Sequence, residues 1–359
     1  MQSPERRRLQ SLDYARFIAA VSVLIFHYFF NGIVGGKIEN LSFIPVWSDI
    51  AKYGYLGVNF FFLISGYVIF FSAKDRTARE FAVSRAVRIY PAFVVAVAIT
   101  SLVAQFWGGP LMSVTVPQAL VNLTFYPGLF GVGFVDGVYW TLQLEVQFYS
   151  LVLVILMAGW GSRLEWFFIS WPAVMLAGLI LGVQQFPFLG GYYSYFAAGA
   201  LFGIVGRQAT LAAVVALALA CALCVVQAVG EAEALSEAKD FDFSPTIVVA
   251  ACVVMFGFFA SLRGPVGRLS LPGSRLLGGL TYPLYLIHAH VGYMILSRFH
   301  EDHMAAYVGA ISATLSLALL IHLGVERAGA RLWPAVMNAT VGSIVSYLSR
   351  KPPSRVPTD

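Results

Sequence analysis

Apolar residues run through this chain in long blocks, and polar positions fall between the blocks or at a few isolated points inside them. Ten blocks reach or approach the roughly 20 residues that cross the hydrocarbon core of a bilayer. They cover residues 12–30, 54–73, 90–107, 138–158, 166–182, 190–205, 210–229, 245–261, 276–298 and 304–323. The pattern predicts an all-α polytopic bundle of about ten transmembrane helices. The sixth block, GGYYSYFAAGALFGIVG, is short and Gly-rich.

Composition supports a bilayer setting, since 59% of residues are hydrophobic and 11% charged, against roughly 25% charged in a soluble domain. The charge pattern adds an orientation. With the N-terminus cytoplasmic, 18 Lys and Arg side chains fall in inward-facing segments, while Lys37, Lys52, Lys239 and Arg298 lie outside and Arg16 lies within a span. That asymmetry is what the positive-inside rule requires. Ten spans with both termini cytoplasmic therefore account for the net charge of +5 without nucleic-acid binding. The first block carries polar groups and no small-residue cleavage site, so it is expected to stay in the protein rather than act as a signal peptide. Residues 1–326 read as one membrane domain and 327–359 as a cytoplasmic interfacial helix with a disordered tail. No internal repeat is evident, which argues against inverted-repeat transporter folds. Cys221, Cys224 and Cys252 lie in apolar blocks and read as packing residues, and no residues are assigned to a metal.

Ionisable groups inside membrane spans are functional suspects. The first block, LDYARFIAAVSVLIFHYFF, holds Arg16 and His27 eleven residues apart. Eleven steps of about 100° come to roughly three turns, so both occupy one helix face, about 16 Å apart along the axis, aimed at one interior cavity. The fourth block opens VYWTLQLEVQFY and brings Glu145 about 10 Å below the outer surface, with Trp140 and Thr141 a turn earlier. The ninth holds TYPLYLIHAH, with Tyr282 and His288; His290 faces away, and is expected to be structural. His27, Glu145 and His288 fall at overlapping depths and are expected to converge. Arg85 and Arg88, one helical turn apart just before the third block, present two guanidinium groups suited to clamping a phosphate.

Five sequence blocks then resemble the acyltransferase-3 family, the integral-membrane O-acyltransferases of bacterial glycans. They are the Arg-x10-His pair Arg16 and His27, GVNFFFLISGYVI from Gly57 to Ile69, RAVRIYP from Arg85 to Pro91, YWTLQLE from Tyr139 to Glu145, and TYPLYLIH from Thr281 to His288, with VER following at Val325 to Arg327. Their order spans nearly the whole chain, whereas roughly 159–275 is generic apolar helix. The resemblance implies a multi-pass protein of the bacterial inner membrane that moves an acyl group, by default acetyl, from cytoplasmic acyl-CoA to a hydroxyl of a cell-surface or lipid-linked glycan. Acetyl-CoA would be a co-substrate rather than a resident cofactor, and membrane lipids the remaining partner.

In that reading Arg85 and Arg88 hold the nucleotide phosphates and Arg16 guides the donor toward His27. His27 is the general base, and Glu145 orients it or positions the acceptor. His288 or Tyr282 donates to the thioester oxygen, and Trp140 and Thr141 contact substrate. The Gly57 and Ser65-Gly66 positions read as close helix contacts. A proton-coupled transporter or flippase of a glycan or lipid precursor is the alternative, since it too needs intramembrane His, Glu and Arg.

Overall fold

The computed structural model describes residues 9–298 and 303–349. Arg6, Arg7, Arg8, His300, Arg350, Lys351 and Arg355 lie outside the described residues. Among those described there is no β-strand, and each of the ten predicted spans coincides with a helix. They are α1 Gln10–Phe26, α2 Leu56–Ala73, α3 Ala78–Trp107, α4 Tyr139–Met157, α5 Leu164–Ile180, α6 Tyr193–Arg207, α7 Leu211–Lys239, α8 Pro245–Ser261, α9 Ser274–Leu296 and α10 His303–Ile321. Among the described residues, seven segments are long and apolar enough to cross a bilayer: Gln10–Val34, Pro45–Ala73, Ala78–Trp107, Tyr139–Met157, Gly161–Ile180, Leu211–Lys239 and Met304–Arg327. Of the other three helices, α6 and α8 are shorter, at 15 and 17 residues, and α9 is less apolar.

Two helices exceed their apolar blocks. α3 begins at Ala78, twelve residues before the third block, because Thr77 and Glu80 form a reciprocal capping box that satisfies its first N–H groups. Arg85 and Arg88 therefore sit inside a continuous helix that also passes through Pro91. α7 continues through Gly230 to Lys239 and carries Glu231 into the bundle, where the apolar pattern ends near 229.

Small residues set the centre of the bundle. α2 and α6 make the most extensive helix pair, and a Cβ added at Gly66 would lie 2.0 Å from the Phe196 carbonyl oxygen, as one at Gly199 would from that of Leu63. Backbone meets backbone there, as dispersion-driven association of membrane helices favours. Gly57 packs α2 against Ala19 of α1 in the same way. α1 and α9 run parallel, tied at one end by Tyr14 to the Pro272 carbonyl and at the other by Asn31 to Tyr293. At that second end α1 widens into a π-helical turn, His27–Asn31, a feature often found at functional sites.

The basic residues separate by end. Lys37, Lys239 and Arg298 gather where α1 ends, against Tyr293, Asn31 and the Phe106 carbonyl. Lys74 and Arg207 converge on Glu165, and Arg88 pairs with Glu326, at the opposite end. Beyond α10, the helical segments Leu332–Met337 and Ser343–Leu348 follow, and Gly342 rests on Arg79 and Val83 of α3.

Candidate active site

Two cavities lie back to back inside the bundle. The larger, about 560 Å³, opens at the end where α3 begins and is lined by Arg16, Arg85 and Arg88 together with Ser65, Glu145, Tyr149, Tyr282 and Glu326. Helical spacing brings both α3 arginines onto one face, and α1 supplies Arg16 from across the cavity. Arg88 lies 3.5 Å from Glu326 and stacks over the Tyr282 ring. Arg85 bonds Ser84, lies over Tyr149, and keeps a buried Nε–H with no partner among the described residues. Glu145 accepts hydrogen bonds from Ser65 (3.0 Å) and Tyr149. Three guanidinium groups against two carboxylates leave this cavity with a surplus of positive charge, and so suited to an anion.

The smaller cavity, about 320 Å³, is lined by His27, Asn31, Lys37, Asp136, Trp140, Glu231, Lys239 and Tyr293. Its polar groups bond mainly to one another. His27 Nδ1 meets the Tyr293 hydroxyl, Asn31 Nδ2 donates to that hydroxyl at 3.0 Å, and Lys239 Nζ donates to Asn31 Oδ1 at 2.7 Å. Glu231 accepts from Tyr192 and, at 3.5 Å, from Asn59. Asp136, fully buried, accepts from the backbone N–H groups of Val138 (3.1 Å) and His290 (2.9 Å). His288 lies behind His27 with ring centroids 5.0 Å apart, edge to face.

Val58 and Tyr285 line both cavities and form the wall between them. Thr141 locks that wall through a 2.9 Å hydrogen bond to the Tyr285 hydroxyl. Arg16 and His27 thus face two chambers, not the single cavity their shared helix face implies. Residues Trp140 and Thr141, adjacent in sequence, line opposite chambers. The expected convergence is also split: His27 and His288 meet, whereas Glu145 stays with Arg16 in the first chamber and touches Ser65 and Tyr149 instead of His27. Tyr282 donates to the Ile89 carbonyl at 3.0 Å, again on the first-chamber side. The Nδ1 of His288 faces the Tyr285 carbonyl at 2.8 Å, so its only N–H in the neutral form is engaged there. His290 lines neither chamber and is buried beside Asp136, 3.9 Å away.

The chain reading missed Tyr293, Asn31, Asp136 and Glu231. Asn31 follows His27 by four residues, so the helical repeat alone would have placed it beside His27.

The family profile described as an acyltransferase domain matches residues 9–323, and the chain belongs to the acyltransferase-3 family. It is a multi-pass membrane acyltransferase. Among curated relatives, the exopolysaccharide production protein ExoZ of Rhizobium meliloti (strain 1021) is 28% identical over 316 residues, covering 84% of this chain and 89% of the relative. Nodulation protein 10 of Rhizobium leguminosarum bv. viciae is 29% identical over 171 residues, 42% of this chain and 44% of its own. BcsY of Komagataeibacter xylinus, whose name assigns it provisionally to the membrane-bound transacylases, is 25% identical over 356 residues, with 91% and 84% covered. No solved structure matches the chain.

Proposed function

We propose that this protein is an O-acyltransferase, with acetyl as the group moved, that takes the acyl unit from acyl-CoA on the cytoplasmic side of a bacterial inner membrane. The acceptor is a hydroxyl of a cell-surface or lipid-linked glycan on the other side, in keeping with the exopolysaccharide named for the relative ExoZ. The observation that carries this reading is the pair of chambers sharing Tyr285 and Val58, one rich in arginine and the other built around His27.

Arg85, Arg88 and Arg16 bind the phosphates of the donor through charge-assisted hydrogen bonds. The thioester arm extends along α1 past Tyr285 into the His27 chamber. There the glycan hydroxyl attacks the thioester carbonyl as its proton is drawn off toward His27, the base of the chamber. Glu145 serves the donor chamber, holding Ser65 and Tyr149 in place. The test is transfer of radiolabelled acetyl from acetyl-CoA to de-esterified surface polysaccharide by purified protein. Label on the polysaccharide that is lost in folded His27→Ala supports the reading; transfer undiminished in that variant overturns it.

A further inference from the structure

The hydrogen-bond partners around His27 and His288 fix which nitrogen of each ring carries the proton. An ammonium only donates, so Lys239 turns the Asn31 amide with its oxygen toward Nζ and its NH2 toward Tyr293 and His27. Asn31 Nδ2 then donates to the Tyr293 oxygen at 3.0 Å and lies 3.4 Å from His27 Nδ1. The Tyr293 hydroxyl, already accepting from Asn31, bonds the same nitrogen. Asn31 Nδ2 only donates, so the one acceptor left for the Tyr293 hydrogen among these partners is His27 Nδ1, which is then the lone-pair nitrogen, and neutral His27 carries its proton on Nε2. For His288 the logic reverses. A backbone carbonyl only accepts, so Nδ1 of His288 carries the proton given to Tyr285 O. Its Nε2 is a buried lone pair without a partner among the described residues.

One ring therefore offers an N–H and the other an empty basic nitrogen, with the rings edge to face and 5.0 Å between centroids. Tyr293 and His27 line the chamber and His288 lies behind them. We propose that the acceptor proton passes from Tyr293 through His27 to Nε2 of His288, which stores it during the transfer. The assignment rests on the acyl-transfer reading and deepens its chemistry.

The acceptor oxygen bonds to the thioester carbonyl carbon as its proton goes to the Tyr293 oxygen. Tyr293 gives its own proton to His27 Nδ1, and as the rings tilt into contact His27 gives the Nε2 proton to His288 Nε2. Collapse of the tetrahedral adduct breaks the C–S bond. The flow then reverses, returning one proton to the departing thiolate and all three side chains to their starting forms. The charge on His288 is transient and sits near the buried Asp136 carboxylate, which already holds the His290 N–H. The other charged or titratable groups facing the pair are His290 itself on α9, Lys37 after α1, and Glu231 and Lys239 on α7.

Nitrogen-15 NMR of the wild-type protein labelled at histidine, with His27→Asn and His288→Asn used for assignment, reads the four nitrogens directly. The expected pattern is an unprotonated Nδ1 in His27 and an unprotonated Nε2 in His288; protonation of either nitrogen overturns the proposal. His288→Asn also retains an amide N–H for the Tyr285 carbonyl while removing the basic nitrogen. Its labelled-acetyl transfer should fall by about 100-fold or more, the usual weight of general acid–base catalysis, at unchanged KM for acetyl-CoA. The wild-type rate should curve in mixtures of H2O and D2O, reporting several protons in flight. A linear dependence, or a His288→Asn variant that keeps most of its activity, removes His288 from the path. A wild type that transfers no acetyl sinks the acyl-transfer reading instead, and the NMR pattern still decides the nitrogen assignments.

Discussion

The two chambers differ in how their polar groups are satisfied. In the first, the arginines outnumber their carboxylate partners and Arg85 retains an unpaired buried donor. In the second, Lys239, Asn31, Tyr293 and His27 form an ordered chain of donors and acceptors, and Glu231 and Asp136 are each capped by neighbours. The atoms left there without a partner among the described residues are neutral ones, the Tyr55 hydroxyl and Nε2 of His288 behind the chain. An unsatisfied set of cations is built to receive a ligand, because the ligand supplies the missing hydrogen bonds. A satisfied chain is built to hold nuclei still, which is what proton transfer needs. On the proposed reading the first chamber therefore sets affinity for the donor and the second sets the rate.

That division is broken most directly at His27. His27→Ala should lower kcat by about 100- to 10,000-fold, the range for a lost general base, while acetyl-CoA still binds with wild-type affinity in calorimetry. A parallel loss of affinity would mean that the chambers are not separate in function.

The opposite pattern is expected at the arginines. Replacing Arg85 or Arg88 by Ala removes hydrogen bonds to a charged group worth about 1.5–3 kcal/mol, so KM for acetyl-CoA should rise about 10- to 100-fold. The KM for the polysaccharide should not move, and the wild-type affinity should weaken with salt more steeply than that of either variant. Equal effects on both substrates would refute an arginine chamber dedicated to the donor.

Most of the ionisable residues of the two chambers were legible in the chain, but not the wall that divides them. Arg16, His27, Glu145 and His288 stand out because an ionisable group in an apolar block is costly and therefore rare, and Arg85 and Arg88 because their spacing is that of a helix turn. Depth along each helix follows from rise per residue. Azimuth does not: no pattern within α4 states which neighbour Glu145 faces, and it faces Ser65 and Tyr149. Glu231 escaped because EAEALSEAK after Gly230 looks like a polar loop, whereas α7 runs through it. Asp136 falls just before the fourth apolar block, where a carboxylate is unremarkable, and Tyr293 is one of 17 tyrosines.

The frame common to both chambers gives a third test. Gly66→Ala would drive a methyl into the Phe196 backbone, so overpacking should cost about 1–3 kcal/mol and lower the melting temperature in detergent. Because α2 lines both chambers, donor affinity and turnover should decline together, unlike either change above. A variant of wild-type stability would show that α2 and α6 can separate without loss.

The smallest effect is expected at the wall, where it is the most informative about how the chambers communicate. Tyr285→Phe keeps the ring that divides them but deletes the 2.9 Å bond to Thr141, a loss of about 0.5–1.5 kcal/mol. If the thioester arm reaches His27 by displacing this ring, a freer ring leaves both KM values alone and shifts kcat by only a few-fold. Water should then follow the same route. Hydrolysis of acetyl-CoA in the absence of polysaccharide, followed as release of free thiol, should rise in Tyr285→Phe and rise further in Tyr285→Ala, where the ring itself is gone. Unchanged hydrolysis in both variants would mean that Tyr285 is a fixed partition, and that donor and acceptor meet by a path around it.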